Sequence, residues 1–365
     1  MPVAVPTNSS ARPEARRLRI GVIGLGRMGQ RHARNVAYAA PRAELVAACD
    51  LLAENVSWAR TNLPGHTSIY DDEDAFFQHE GLDAVLIATE TSTHAPLALK
   101  ALQAGKHVLV EKPVSVDQET AKEFASRAKQ YPGLKVMVGF SRRFDESYRE
   151  AKRMIDTGLV GQPFLIKSST NDQYDPSGFF IAYSAKSGGI FMDCGIHDID
   201  MARWLLDISP SQPIKRVFAS GTNVRHPELA ASGDADNALG FVEYADGKSF
   251  TFHLSRTAMH GHDCACEVLG SEAKLLVNQN PRMNRLDVAD QHGVRTLSTP
   301  TYYERFREAF VAEVNAFADS VLDDTAVPST VTDAIEAGNI AHALTVSFRT
   351  GKPVLFDEEN QPILA

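Results

Sequence analysis

From Leu18 onward, short runs rich in apolar and β-branched residues alternate with stretches of helical periodicity. The runs cover residues 18–24, 43–50, 66–70, 83–89, 106–113 and 134–140. Their uninterrupted apolar character suits strands buried on both faces, as in a parallel sheet sandwiched by helices. Helical patterns fill the gaps at 27–40, 51–61, 71–79, 92–105 and 116–131. This alternation predicts a doubly wound α/β Rossmann domain ending near Phe140.

After Phe144 the rhythm changes. A helical pattern at 144–158 precedes a strand run at 163–170, an irregular aromatic stretch and a helix at 194–206. Strand runs follow at 214–221, 238–244, 249–256, 264–270 and 273–278, with tight turns at Ala245-Asp246-Gly247 and Gly270-Ser271-Glu272. They predict a large, mostly antiparallel open sheet of five or six strands in a C-terminal α+β domain. Two late helices, at 303–324 and 330–351, are expected to pack back on the first domain. The expected organisation is a disordered tail at 1–17 (Pro2, Pro6, Pro13 and a Ser/Asn cluster), a nucleotide-binding domain at 18–142 and a substrate and oligomerisation domain at 143–365.

Composition narrows the class of protein without naming a chemistry. The 365 residues are 44% hydrophobic and 23% charged, ordinary for a globular chain with two cores. The net charge of −9 disfavours nucleic acid and anionic lipid as partners. The longest charge-free stretch, 337–348, is too short to cross a bilayer, and the N-terminus lacks the pattern of a secretory signal. Four cysteines (Cys49, Cys194, Cys264, Cys266) fit a reduced, cytoplasmic protein.

The first strand runs into Gly24-Leu25-Gly26-Arg27-Met28-Gly29, and a helix follows. In that context the first glycine permits a tight turn and the second admits a pyrophosphate against the backbone. The third lets helix and strand pack closely, and the helix N-terminus faces the phosphates. Asp50 closes the second strand, 21 residues past Gly29, where a carboxylate accepts from both ribose hydroxyls and repels a 2′-phosphate. Leu51 and Leu52 follow, with no arginine to welcome that phosphate, so NAD is expected rather than NADP. Thr89, His94, Glu111 and Lys112 close later strands at the same crevice, and Pro113 fixes the backbone after the lysine.

In the segment GGIFMDCGIHDIDMARWLL, Asp193 and His197 are four apart and His197 and Asp200 three apart, which places them on one helical face. An imidazole beside carboxylates suits general-base chemistry on a hydroxyl. Periodicity alone equally allows an N-capping Asp193 and a structural His197.

Four blocks occur together in order: GVIGLGRMG, THAPLALKALQAGKHVLVEKP, GFSRRFD and GGIFMDCGIHDIDMARWLL. With them the chain resembles the glucose–fructose oxidoreductase/inositol dehydrogenase (Gfo/Idh/MocA) family from Leu18 on, and its inositol and sugar dehydrogenase branch most closely. The resemblance implies a catalytic trio of Lys112, Asp193 and His197, with Arg142 lining the substrate pocket. It further implies that His197 takes a hydroxyl proton, Lys112 stabilises the same oxygen and Asp193 holds a substrate hydroxyl. Asp172 and Tyr174, within Asn171-Asp172-Gln173-Tyr174-Asp175, are further candidates for binding a polyhydroxylated ring; the segment departs from the inositol dehydrogenase pattern, and a solvated loop is the alternative.

The implied function is NAD-dependent oxidation of a secondary hydroxyl of a cyclitol, sugar or sugar derivative. The alternatives are a member that retains its NAD, as glycosidase or epimerase, and a non-catalytic nucleotide sensor. His262, Cys264 and Cys266 alternate on one strand face but lack a distant fourth ligand, so no metal is expected. That face, with Phe250, Phe252 and Leu254 beside it, is expected to pair with another subunit, because the family commonly forms dimers or tetramers through this sheet.

Overall fold

The computed structural model describes residues 16–363, so most of the tail expected at 1–17 lies outside the described residues. Six parallel strands build the first sheet: β1 (Leu18–Ile23), β2 (Ala43–Cys49), β3 (Ser68–Tyr70), β4 (Ala84–Ile87), β5 (His107–Glu111) and β6 (Val136–Gly139). Their order is β3-β2-β1-β4-β5-β6, which reverses direction beside β1 and opens a crevice at the carboxyl ends. Helices α1 (Arg27–Tyr38), α2 (Ala53–Asn62), α3 (Glu73–Phe77), α4 (His94–Gln103) and α5 (Gln118–Ala128) make the connections. All four residues of β4 are buried, as a strand covered on both faces requires.

A short turn, Ser141–Phe144, leads into α6 (Glu146–Asp156) and then β7 (Pro163–Gln173), α7 (Phe179–Ser187) and α8 (Ile196–Leu205). The strands β8 (Ile214–Thr222), β9 (Asn237–Tyr244), β10 (Ser249–Ala258), β11 (Asp263–Gly270) and β12 (Lys274–Val277) follow, then a small hairpin, β13 (Asp287–Asp290) and β14 (Gly293–Thr296). Two long helices, α9 (Tyr302–Leu322) and α10 (Val331–Thr350), precede β15 (Val354–Phe356) and β16 (Pro362–Ile363). The second sheet has eight strands in the order β12-β11-β7-β10-β9-β8-β15-β16, antiparallel except where β7 meets β10. β9–β10 and β11–β12 are hairpins at the two expected turns, but β7 is inserted between β10 and β11, so the sheet is not a simple meander.

Two expectations for this half are corrected. The segment from Asn171 is only in part an irregular loop: Asn171, Asp172 and Gln173 complete β7, Asn171 pairing with both β10 and β11 and Gln173 with β10, and a short connection at 174–178 then leads into α7. Phe250, Phe252, Leu254, Cys264 and Cys266 do not face a second subunit either. They are fully buried inside the chain, on the face covered by α8 and α10. The opposite, open face carries Phe218, Leu239 and Leu355, interleaved with ion pairs such as Lys215 and Arg216 to Glu243. Period-2 alternation named the apolar face correctly but not what covers it, which is decided by helices 50 to 100 residues away in sequence.

The halves are tied by helices, and the start of the second half is anchored by charge. α9 packs on α1, and α10 lies against α5, α8 and β8. Arg143, just past the last parallel strand, grips Asp200 of α8 with two hydrogen bonds (Nε at 2.9 Å, Nη2 at 2.6 Å) and also donates to the Pro328 carbonyl at 2.8 Å. Asp333 at the start of α10 completes this buried cluster, 3.2 Å from Arg143. Removing one partner of a buried pair strands the other charge, so Arg143→Ala should cost about 3–5 kcal/mol. Denaturant melts of the two proteins will measure it; a loss within about 0.5 kcal/mol, the range of ordinary surface substitutions, would show that the cluster holds nothing together.

Candidate active site

The glycine loop has the geometry that a dinucleotide requires. Gly24 sits at φ +86°, and a Cβ there would lie 2.7 Å from the Ala88 backbone. A Cβ on Gly29 would lie 1.6 Å from the Gly24 carbonyl oxygen, so only glycine lets α1 start this close to β1. Gly26, by contrast, faces open space with nothing within 4 Å, which leaves its backbone approachable. The first turn of α1 has no side-chain cap and no acidic residue, so its N–H groups remain for an anion. Asp50 locks the loop from β2: it accepts from Leu25 N at 2.6 Å and Leu52 N at 2.8 Å. A carboxylate at this strand end would repel a 2′-phosphate.

Between the carboxyl ends of the parallel strands and the ends of β7 and β10 lies a cavity of about 570 Å³. Lys112, Asp193, His197, Arg142, Asp172 and Tyr174 all line it, together with Arg27, Met28, Thr89, His94 and Glu111 on the nucleotide side. Asp193 belongs to a π-helical turn, Phe191–Gly195, immediately before α8; it is not the N-cap of that helix. Such wide turns recur at functional sites because they re-aim a side chain. Lys112 Nζ donates to the Asp193 carbonyl at 2.7 Å and lies 3.3 Å from its carboxylate. Burial pushes this ammonium down, but Asp193, joined by Tyr183, Cys194 and Glu111, holds the lysine above its ordinary value. His197 is shifted the other way. Burial, followed by the charges of Lys112, Arg142 and His262, drives its pKa well below the usual imidazole range, so the ring is a neutral base at pH 7.

Asp200 does not join His197, although the spacing suggested it: it faces Arg143 on the other side of α8. Arg142 is rigidly seated in the cavity wall, with Nη1 3.0 Å from Asp198 and Nη2 donating to the Thr170 hydroxyl, which itself donates to Asp198 at 2.7 Å. His94 and Glu111 spend their polar atoms on the protein. The His94 ring nitrogens lie 2.8 Å and 3.2 Å from the carbonyls of Pro113 and Thr89, and Glu111 meets His32 at 2.6 Å. Tyr174 turns its ring toward His226, 5.5 Å away, beneath Arg225.

Two residues outside the expected set stand in the wall. Arg256 donates to Asp193 Oδ2 at 3.1 Å, and His262 pairs with Asp172 at 3.0 Å. A sequence signal existed for both. Phe250, Phe252 and Leu254 set the inward phase of β10, and Arg256 is next in that phase; Cys264, Cys266 and Val268 do the same for His262. A charged residue at an inward strand position is a functional candidate because its burial is expensive unless paired.

The sequence matches the NAD-binding Rossmann fold of the oxidoreductase family over residues 18–140 and the GFO/IDH/MocA C-terminal domain over 148–276. The chain belongs to the GFO/IDH/MocA family. It is 36% identical to the scyllo-inositol 2-dehydrogenase (NAD(+)) of Bacillus subtilis over 93% of this chain and 96% of that protein. Myo-inositol 2-dehydrogenase of Thermotoga maritima is 31% identical over 83% and 88%. Among solved structures, scyllo-inositol dehydrogenase from Lactobacillus casei with bound NAD(H) and scyllo-inositol superposes with a TM-score of 0.87 at 33% identity, covering 93% of this chain and 99% of that one. This chain is thus an oxidoreductase on an NAD-binding Rossmann frame, and among the described residues no helix is long and apolar enough to cross a membrane.

The loop geometry makes a direct prediction. Gly29→Ala must push α1 off the Gly24 carbonyl and should weaken NAD binding at least tenfold, about 1.4 kcal/mol. Titration calorimetry with NAD checks it, and wild-type affinity in the variant would remove the loop from the cofactor site.

Proposed function

We propose that this protein oxidises a secondary hydroxyl of a cyclitol, sugar or sugar derivative to a ketone, with an inositol as the substrate class its relatives favour. The observation that carries the reading is one cavity holding a cationic lysine, a carboxylate and a neutral, partly buried histidine beside a dinucleotide loop. NAD supplies the hydride acceptor. Gly24, Gly26, Arg27, Met28, Gly29, Asp50 and Thr89 would hold it, with Lys112 at the reacting end and His94 and Glu111 shaping the crevice between them.

His197 takes the hydroxyl proton as the C–H bond breaks, and its depressed pKa keeps it ready to do so through neutral pH. The Lys112 ammonium donates to the same oxygen and stabilises the negative charge that grows there. Asp193 orients Lys112 and accepts from a substrate hydroxyl; Arg142, Asp172 and Tyr174 hold the rest of the ring. The substrate end of the cavity sets paired cations and carboxylates against one another (Lys112 and Arg256 on Asp193, His262 on Asp172), which supports an uncharged polyol. We also assign residues 18–142 to the cofactor and 143–365 to substrate and assembly. A cytoplasmic homodimer or homotetramer meeting through the open sheet face agrees with the apolar side chains exposed there and with four unpaired cysteines.

Reduced cofactor should accumulate at 340 nm when the protein is given free NAD and a panel of inositols and aldoses. No net reduction with any polyol would favour the cofactor-retaining or sensing alternatives. Lys112→Ala and His197→Ala should each lower kcat by roughly 10²–10⁴-fold with NAD binding nearly intact. Retained turnover in both would sink the assignment. In the wild type, kcat/KM should fall on the acid side only below pH 6.5, as His197 becomes protonated.

A further inference from the structure

Asp172 and His262 lie 90 residues apart and meet where β7 ends and β11 begins. His262 is fixed as few residues of this cavity are. Its N–H donates to the Thr299 carbonyl at 2.7 Å, and its own carbonyl accepts from the Thr299 hydroxyl at 3.2 Å. The ring stands edge-on to Tyr302 and Phe306 of α9, with centroids 6.4 Å and 6.2 Å away. Its Nδ1 lies 3.0 Å from Asp172 Oδ1.

The two side chains differ in what they can reach. The imidazole is 2% exposed, whereas the carboxylate it holds is 36% exposed. The second oxygen of Asp172 receives only a distant thiol contact from Cys194, at 3.7 Å. A carboxylate with one oxygen anchored and the other nearly unengaged, aimed into a polyol-sized cavity, is a hydroxyl acceptor of fixed orientation.

Resting on the dehydrogenase reading above, we propose that His262 is a positioning residue for substrate recognition: it orients Asp172 to accept from a ring hydroxyl of the polyol other than the one oxidised. Its action is through Asp172 and not on the reacting carbon. The titratable and charged groups around the pair are Asp172 itself from β7, Cys264 from β11, Tyr302 from α9, His197 from α8 and Arg256 from β10. Burial alone would make the ring less basic, but the hydrogen bond to Asp172, helped by the neighbouring Cys264, prevails and raises its pKa to about 9. The folded value lies above the ordinary 6.5. The stabilisation from the charged pair is therefore fully present below about pH 6.5 and is lost as pH rises through about 9.

Binding and turnover together test this, with the NADH-loaded protein and scyllo-inositol as probe in calorimetry, and with NAD and inositols in steady state. His262→Gln keeps a neutral donor and should raise Kd and KM about fivefold with kcat nearly unchanged; His262→Phe removes the donor and should raise them further. Wild-type KM should climb through pH 9, and His262→Gln should flatten that rise. The wild-type His262 resonance should titrate near 9 by NMR and fall by more than one unit in Asp172→Asn, which needs no substrate. Unchanged KM and Kd in His262→Gln, or a fall in kcat that matches the fall in kcat/KM, overturns the proposal. A wild type that binds the polyol without turning it over defeats the dehydrogenase reading alone, because the Kd series still reads the His262–Asp172 pair.

Discussion

The contact between Lys112 and Asp193 is the one on which the rest of the site depends. Lys112 ends a parallel strand of the first half, and Asp193 lies in a π-helical turn of the second, 81 residues later. Two acceptors on one residue, a carbonyl and a carboxylate, hold the ammonium, so the lysine is placed by the second half as firmly as by its own strand. Its charge is also the nearest cause, after burial, of the weak basicity of His197. One ion pair thereby joins the halves, fixes the electrophilic group and, together with burial, keeps the base unprotonated.

Burying this many charges is costly, and the protein meets the cost by pairing rather than by exposure. Arg142 with Asp198, Arg143 with Asp200 and Arg256 with Asp193 all sit at or near zero exposure on the cationic side. Such pairs seldom add net stability over an apolar core, but each fixes a direction. Around the cavity their shared effect is that carboxylates and cations are held in place before a ligand arrives, which is what a site for oriented proton and hydride transfer needs. The same pairs bind α8, β7 and β10 into one wall, so site and fold are stabilised by the same interactions.

The parallel half was legible because its signals are local. Gly24, Gly26 and Gly29 each meet a steric condition set within one strand–turn–helix unit, and Asp50 closes the next strand at a fixed distance along the chain. Elements were hardest to read where two local signals competed. The aromatic and polar residues from Asn171 suggested a loop, yet β10 and β11 flank Asn171 on both sides and β10 carries the pairing on to Gln173. Helical spacing grouped Asp200 with His197, but Arg143 on a neighbouring turn captured the aspartate. The small hairpin at 287–296 carries few apolar residues and gave no periodic signal at all.

The sequence by itself determined the dinucleotide-binding half, the kinds of residue that carry the chemistry and the alternating phase of β10 and β11. Phase is a property of alternation along one strand, so it needs no partner. Only the tertiary structure decided which inward positions face each other. Arg256 and Asp193 are separated by 63 residues and His262 and Asp172 by 90, and nothing in the neighbouring sequence names either partner. The insertion of β7 between β10 and β11 makes that choice. It brings three strand ends together over one helix turn, because hydrogen-bonded strand order is a long-range property that local periodicity cannot encode.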